Sequence, residues 1–139
     1  MYLLDTNVVS ELRKVDTAKV DCRVEAWSRN TPAASMFLSA ISALELERGT
    51  LLIERRDATQ GAMLRSWLEK IVFPGFAGRI LPVDTPVALR CATLHVPNPR
   101  SYRDSFIAAT AMVHGMIVVT RNIADFEPTG VALLNPWLP

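Results

Sequence analysis

Five short apolar runs alternate with longer stretches whose apolar residues recur every three to four positions. No other feature constrains the chain as strongly. The strand-like runs are Tyr2 to Leu4, Ser35 to Ser39, Arg79 to Val83, Met116 to Thr120 and Val131 to Leu134. Strands separated by helical segments predict an α/β fold: a central, mainly parallel five-stranded sheet flanked by helices. The 139 residues suit one domain over 1–139, with little room for a second. Half of them are hydrophobic, enough at this length to bury a core without staples.

The helical segments carry their own punctuation. Asp5-Thr6-Asn7 is a cap-rich turn into a short helix ending near Lys14, and Val20 to Arg29 forms a second, closed by Asn30 and Pro32. Ser42 opens a third that runs to about Arg55. Ala58 to Val72 follows, with Met63, Leu64, Trp67, Leu68 and Ile71 as a 3.6-period stripe ended by Pro74 and Gly75. Thr85-Pro86 starts another helix, proline being tolerated at the first helical position. Val96-Pro97-Asn98-Pro99 is a loop, after which Ser101 caps a helix to His114 and Gly115 stops it.

Charge and cysteine usage exclude several classes. Fifteen Lys+Arg against fourteen Asp+Glu give a net charge of +1, which rules out nucleic-acid binding by bulk charge but not a locally basic groove. Cys22 and Cys91 match no metal-binding spacing and read as reduced thiols of a cytoplasmic protein. The opening Met1 to Val9 has no basic segment, and Asp5 interrupts its apolar run, so it is no signal sequence. Ala33 to Leu46 is too short and too rich in serine to span a bilayer. The expectation is a soluble protein with no membrane partner.

In an open parallel sheet, ligands bind beyond the carboxyl ends of the strands, and four acids fall there. Asp5 directly follows the first strand; as a favoured N-cap residue it can also serve only to start the next helix. Glu45 stands three residues after Ser42, the spacing of a capping box. Asp104 stands three after Ser101, but it shares a helical face with Ile107, Ala108 and Ala111, which turns it inward. Asp125 follows the fourth strand, beside Asn122, in a segment that is equally a turn. Singly, each acid is explained as a cap. Together they converge on one edge from distant segments, where carboxylates repel unless a cation sits among them. A hard Mg²⁺ or Mn²⁺ ion suits all-oxygen donors. Ions held this way activate water and stabilise the leaving oxygen in phosphodiester hydrolysis.

The ordered set MYLLDTNVVSEL, SAISALELERG, RDSFIAATAMVHG, VVTRNIADFE and the closing NPW resembles PIN-domain ribonucleases. Specifically it is similar to VapC-type toxins of type II toxin–antitoxin (VapBC) systems, in the branch that includes FitB, over nearly the whole chain. The resemblance implies a compact α/β/α sandwich and a Mg²⁺- or Mn²⁺-dependent endoribonuclease, a hydrolase acting on ester bonds of structured RNA such as tRNA or rRNA. It further implies a homodimer and neutralisation by a cognate VapB-type antitoxin, with which a larger complex can form. Asp5, Glu45 and Asp104 match the family's metal-binding acids, and Asp125 takes the fourth acidic position because Asn122 occupies the earlier place. Thr6, Asn7, Thr120 and Asn122 are the supporting polar residues.

The remaining candidates have plainer readings beside functional ones. Arg48, Arg100, Arg103 and Arg121 neutralise the acids or contact RNA phosphates. His95 and His114 fit helix positions as surface or packing residues, so histidine-pair ribonuclease chemistry is disfavoured. The Met63, Trp67 and Ile71 stripe is core or dimer surface rather than a base-stacking platform, and Trp137 is packing. Two other functions compete. A phospho-receiver domain wants paired acids after its first strand and a lysine after a late one, whereas this chain has Asp5 alone and only Lys14, Lys19 and Lys70. A catalytically inactive PIN-like module binding RNA or a partner is the second alternative; the retained acids argue against it.

Overall fold

Every strand expected from the sequence forms, β1 with the expected bounds and the others shortened: β1 Tyr2–Leu4, β2 Met36–Ser39, β3 Ile80–Leu81, β4 Ile117–Val119 and β5 Leu133–Leu134. The computed structural model describes residues 1–15 and 17–139. The strands lie in the order β3-β2-β1-β4-β5 and every adjacent pair is parallel, so the sheet is parallel throughout rather than mainly. Successive side chains of a strand face opposite sides. Leu4 and Val119 therefore join Leu38, Val8, Leu46 and Leu68 in a core on one face. Leu3 and Val118 pack with Ile107, Ala108, Met116 and Phe126 on the other. Burial on both faces explains why β1 and β4 read as unbroken apolar runs.

Eight helices surround this sheet among the described residues: α1 Thr6–Leu12, α2 Cys22–Arg29, α3 Ala40–Arg56, α4 Ala58–Trp67, α5 Phe73–Gly75, α6 Thr85–Leu94, α7 Tyr102–His114 and α8 Ile123–Phe126. α7 has the expected bounds, capped by the Ser101 hydroxyl and stopped at Gly115, whose φ of 66° a side chain would oppose. α4 continues into α5 through a π-helical turn over Leu68–Val72. That turn buries Leu68 and Val72 and leaves Met63 and Ile71 more than half exposed. The apolar stripe of this segment is thus divided: Leu68 joins the core and Trp67 packs against it, while Met63 and Ile71 face outward. On the inner side, α4 approaches α3 so closely that a methyl group on Gly61 would lie 2.4 Å from the Glu54 Cα. Arg65 then ties the two helices by ion pairs to Glu47 and Glu54.

One local expectation is overturned. Ser39, not Ser42, caps α3: its hydroxyl accepts the Ile41 N–H at 3.0 Å. The helix starts three residues early because Ser42, Leu46 and Thr50, spaced one turn apart, form its buried face. Ser42 consequently lies inside the fold, its Oγ without a hydrogen-bond partner among the described residues. Glu45 moves from the first turn to the second and is no part of a capping box. Replacing a capping serine by alanine costs about 1 kcal/mol, whereas a buried hydroxyl with no partner is itself unfavourable by about 1–3 kcal/mol. Ser39→Ala therefore lowers the urea midpoint, while Ser42→Ala leaves it unchanged or raises it. The reverse order would return the cap to Ser42.

Candidate active site

The strand order reverses at β1, with β2 on one side and β4 on the other, and a crevice opens beyond the carboxyl ends at such a point. Asp5 stands there. Its backbone N–H continues the ladder to the Val119 carbonyl at 2.9 Å, which fixes the side chain against the end of β4. The carboxylate is fully buried. Oδ1 accepts from the Thr6 N–H at 2.8 Å and from Arg103 Nη2 at 2.6 Å. Oδ2 accepts from the Thr120 hydroxyl at 2.7 Å and, at 3.4 Å, from the Asn7 amide. Capping α1 and joining the acidic cluster are one geometry: the Thr6 N–H is both helix start and carboxylate donor.

Glu45 reaches the same place from the second turn of α3. Its Oε1 accepts from the Thr6 hydroxyl at 2.6 Å and from Arg103 Nη2 at 2.9 Å, and its Oε2 accepts from Arg103 Nε at 2.6 Å. Asp104, in the first turn of α7, accepts from Arg103 Nη1 at 2.7 Å. Three acids from β1, α3 and α7 thus surround one guanidinium, which leaves two of their three negative charges uncompensated. Burial would lower the Arg103 pKa, but the hydrogen bonds and charges of Glu45, Asp5 and Asp104 outweigh it and raise it above the ordinary arginine value. In this conformation no three Asp, Glu, His or Cys side chains among the described residues form an ion-binding set; the guanidinium fills the space they share.

Asp125 is not part of this group. It lies exposed on α8, and the acids that Arg103 holds are Asp5, Glu45 and Asp104. Asn122, by contrast, lines the cleft, and its backbone N–H donates to the Thr120 hydroxyl at 3.0 Å. The Asn7 side-chain Oδ1 accepts the Arg121 backbone N–H at 3.3 Å. The cleft, about 440 Å³, is also lined by Ser10, Lys14 and Trp137, which single-residue reasoning had no means to bring together. Trp137 packs against the core and also presents its ring to the Arg121 guanidinium at 5.2 Å. Of the four arginines, Arg103 holds the acids directly, Arg48 acts on Glu45 by charge alone, and Arg100 donates to the Leu94 carbonyl. His95 stacks on Tyr102 and hydrogen-bonds Ser105, and His114 is exposed.

The PIN domain family model matches residues 2–128, and the chain belongs to the PIN domain family. Within that family it is 38% identical to VapC ribonuclease Y4jK of Sinorhizobium fredii, covering 100% of this chain and 99% of that protein. It is equally 38% identical to Toxin FitB of Neisseria gonorrhoeae, over 99% of each chain. The crystal structure of FitAcB from Neisseria gonorrhoeae superposes with a TM-score of 0.88 at 37% identity, covering both chains completely. No helix among the described residues is long and apolar enough to cross a membrane.

Burial alone would push the Glu45 carboxyl up, but the Arg103 and Thr6 hydrogen bonds and the charges of Arg103 and Arg48 hold it below the ordinary 4.5. A carboxyl lowered by folding stabilises the protein above its unfolded pKa, and that contribution is lost as pH falls through the lowered value. In EDTA, the melting-temperature gap between the wild type and Glu45→Gln is therefore widest near neutrality and closes as the pH falls below the ordinary glutamate range. Circular dichroism melts across pH check this; a gap that widened on acidification would contradict the assignment.

Proposed function

We propose that this chain is the toxin of a toxin–antitoxin pair and acts as a divalent-metal-dependent endoribonuclease, with Mg²⁺ or Mn²⁺ as the ion. One observation carries the reading: Asp5, Glu45 and Asp104, from three separate elements, already converge on a single positive charge at the carboxyl edge of the sheet. Their donor set fits a hard cation, being all oxygen and still short of positive charge. Asp5, Glu45 and Asp104 would hold the ion. A bound divalent ion there supplies water activation and offsets negative charge on the leaving oxygen.

The chain's own residues supply the rest. Thr120 and Asn7 orient Asp5, and Thr6 orients Glu45, as groups behind metal ligands do. Lys14 and Arg121 in the cleft wall suit the phosphates of an RNA backbone, for which arginine's fork is well matched. Asn122 orients a phosphate or water at the mouth. Asp125 takes a supporting part from the exposed flank. The substrate is structured RNA such as tRNA or rRNA in the cytoplasm, the hydrolysed bond is a phosphodiester, and a cognate VapB-type antitoxin restrains the enzyme. The active unit is a homodimer of these PIN domains, able to join the antitoxin in a larger complex. The relative's name, Toxin FitB, and the full-length superposition on FitAcB support the toxin assignment.

A binding-only PIN module is the second reading, favoured by the guanidinium that fills the acidic cluster. Incubation of total RNA with the purified chain, in Mg²⁺ and in EDTA, separates the two. Discrete fragments appear only with metal. Asp5→Asn and Asp104→Asn lower the rate roughly 100- to 1,000-fold, the several kcal/mol that a metal contributes, and Asp125→Asn lowers it less. Undiminished cleavage by Asp5→Asn would place the chemistry elsewhere; an absence of cleavage by metal-loaded, antitoxin-free protein would favour the binding module.

A further inference from the structure

The residue immediately before Asp104 occupies the centre of the acidic cluster, and the structure gives it four hydrogen bonds to three carboxylates. Arg103 Nε and Nη2 take both oxygens of Glu45, Nη2 also takes Asp5 Oδ1, and Nη1 takes Asp104 Oδ1. These are the oxygens a divalent ion would need, at about 2.0–2.1 Å for Mg²⁺. A guanidinium 2.6–2.9 Å from each of them stands in the space the ion would fill. Its side chain is nevertheless about one-third exposed and borders the open cleft, so it has somewhere to go. Arg121 and Asn122, which line that cleft, are both exposed.

We propose that Arg103 is an exchangeable counter-ion: it gathers Asp5, Glu45 and Asp104 in the metal-free protein and leaves the cluster for the cleft when a divalent ion enters. This rests on the metal centre proposed above. A cation in the cluster offsets the repulsion among three carboxylates, one of them fully buried, that would otherwise favour protonating one of them. Arg103 supplies that cation during folding and in low metal. The fork also sets the positions of the carboxylates before the ion arrives, which makes Arg103 a positioning residue. Its cost is competition: ion binding has to displace four charge-assisted hydrogen bonds.

The test reads metal binding, independent of RNA cleavage. In wild-type protein, the Arg103 Nε–H resonance, assigned through its scalar couplings to the Arg103 side-chain carbons, is protected from solvent in EDTA and moves to a rapidly exchanging position as Mg²⁺ saturates. By calorimetry, Arg103→Gln binds Mn²⁺ about tenfold more tightly than wild type, the scale on which groups around ligands move metal affinity. Arg103→Lys, which keeps the charge but not the fork, falls between them. In thermal melts, both variants are destabilised in EDTA and return toward wild type in Mn²⁺. A resonance unmoved at saturation overturns the exchange, as does Mn²⁺ affinity in folded variants no higher than that of wild type. If the variants do not fold, the wild-type titration decides alone. Failure of wild type and both variants to bind Mn²⁺ sinks the metal centre itself, and the exchange with it.

Discussion

A fully buried carboxylate is tolerated only where donors surround it, and the placement of Asp5 meets that requirement from several elements at once. The Thr6 N–H belongs to the start of α1, the Thr120 hydroxyl to the end of β4, and the guanidinium to the first turn of α7. The Thr6 N–H is adjacent in sequence, but the Thr120 hydroxyl is near Asp5 only where β1 and β4 pair in the observed register, Leu3 opposite Val118 and Leu4 opposite Val119. A one-residue slip would exchange the two faces of a strand, burying the wrong side chains in each core and withdrawing the Thr120 hydroxyl. The polar edge and the apolar cores therefore specify the same pairing.

Helix geometry reinforces that edge. α1 and α7 both begin at the acidic cluster, so the partial positive charge of their first turns faces the carboxylates. Asp5 caps one of these helices, and Asp104 lies in the first turn of the other. The opposition between a capping role and a functional one, natural when each acid is considered alone, dissolves once the elements are placed: helix N-termini collect at the carboxyl edge of a parallel sheet, where anions are also wanted. The same placement explains a nearly neutral chain with a locally charged centre, since the charges are sorted by position rather than by number.

What the sequence made legible was what local chemistry decides. The bounds of α7 followed from Ser101 and Gly115, and the sheet from its apolar runs. The start of α3 did not follow, because Ser39 and Ser42 are both competent caps and only the burial of Ser42, Leu46 and Thr50 against the sheet chooses between them. Periodicity likewise identified a face on α4 and its continuation but not which face is covered. Gly61, Leu68 and Val72 turned inward and Met63 and Ile71 outward. Asp5, Glu45 and Asp104 could be gathered at one edge from topology alone. That Arg103, out of four candidate arginines, would lie among them depends on how α7 seats against β1 and α3, which no local pattern encodes.

The partners of Asp5 are also far away in time. Thr120 lies 115 residues later in the chain and Arg103 lies 98 residues later. At about 5–20 residues per second, a ribosome needs roughly 6–23 s to travel from Asp5 to Thr120. Arg103 is made before that point, but until β4 follows the acidic edge lacks the Thr120 hydroxyl and the strand that closes it. The parallel order that puts the first strand in the middle of the sheet thus defers completion of the acidic centre until β4, more than a hundred residues after Asp5, has been made.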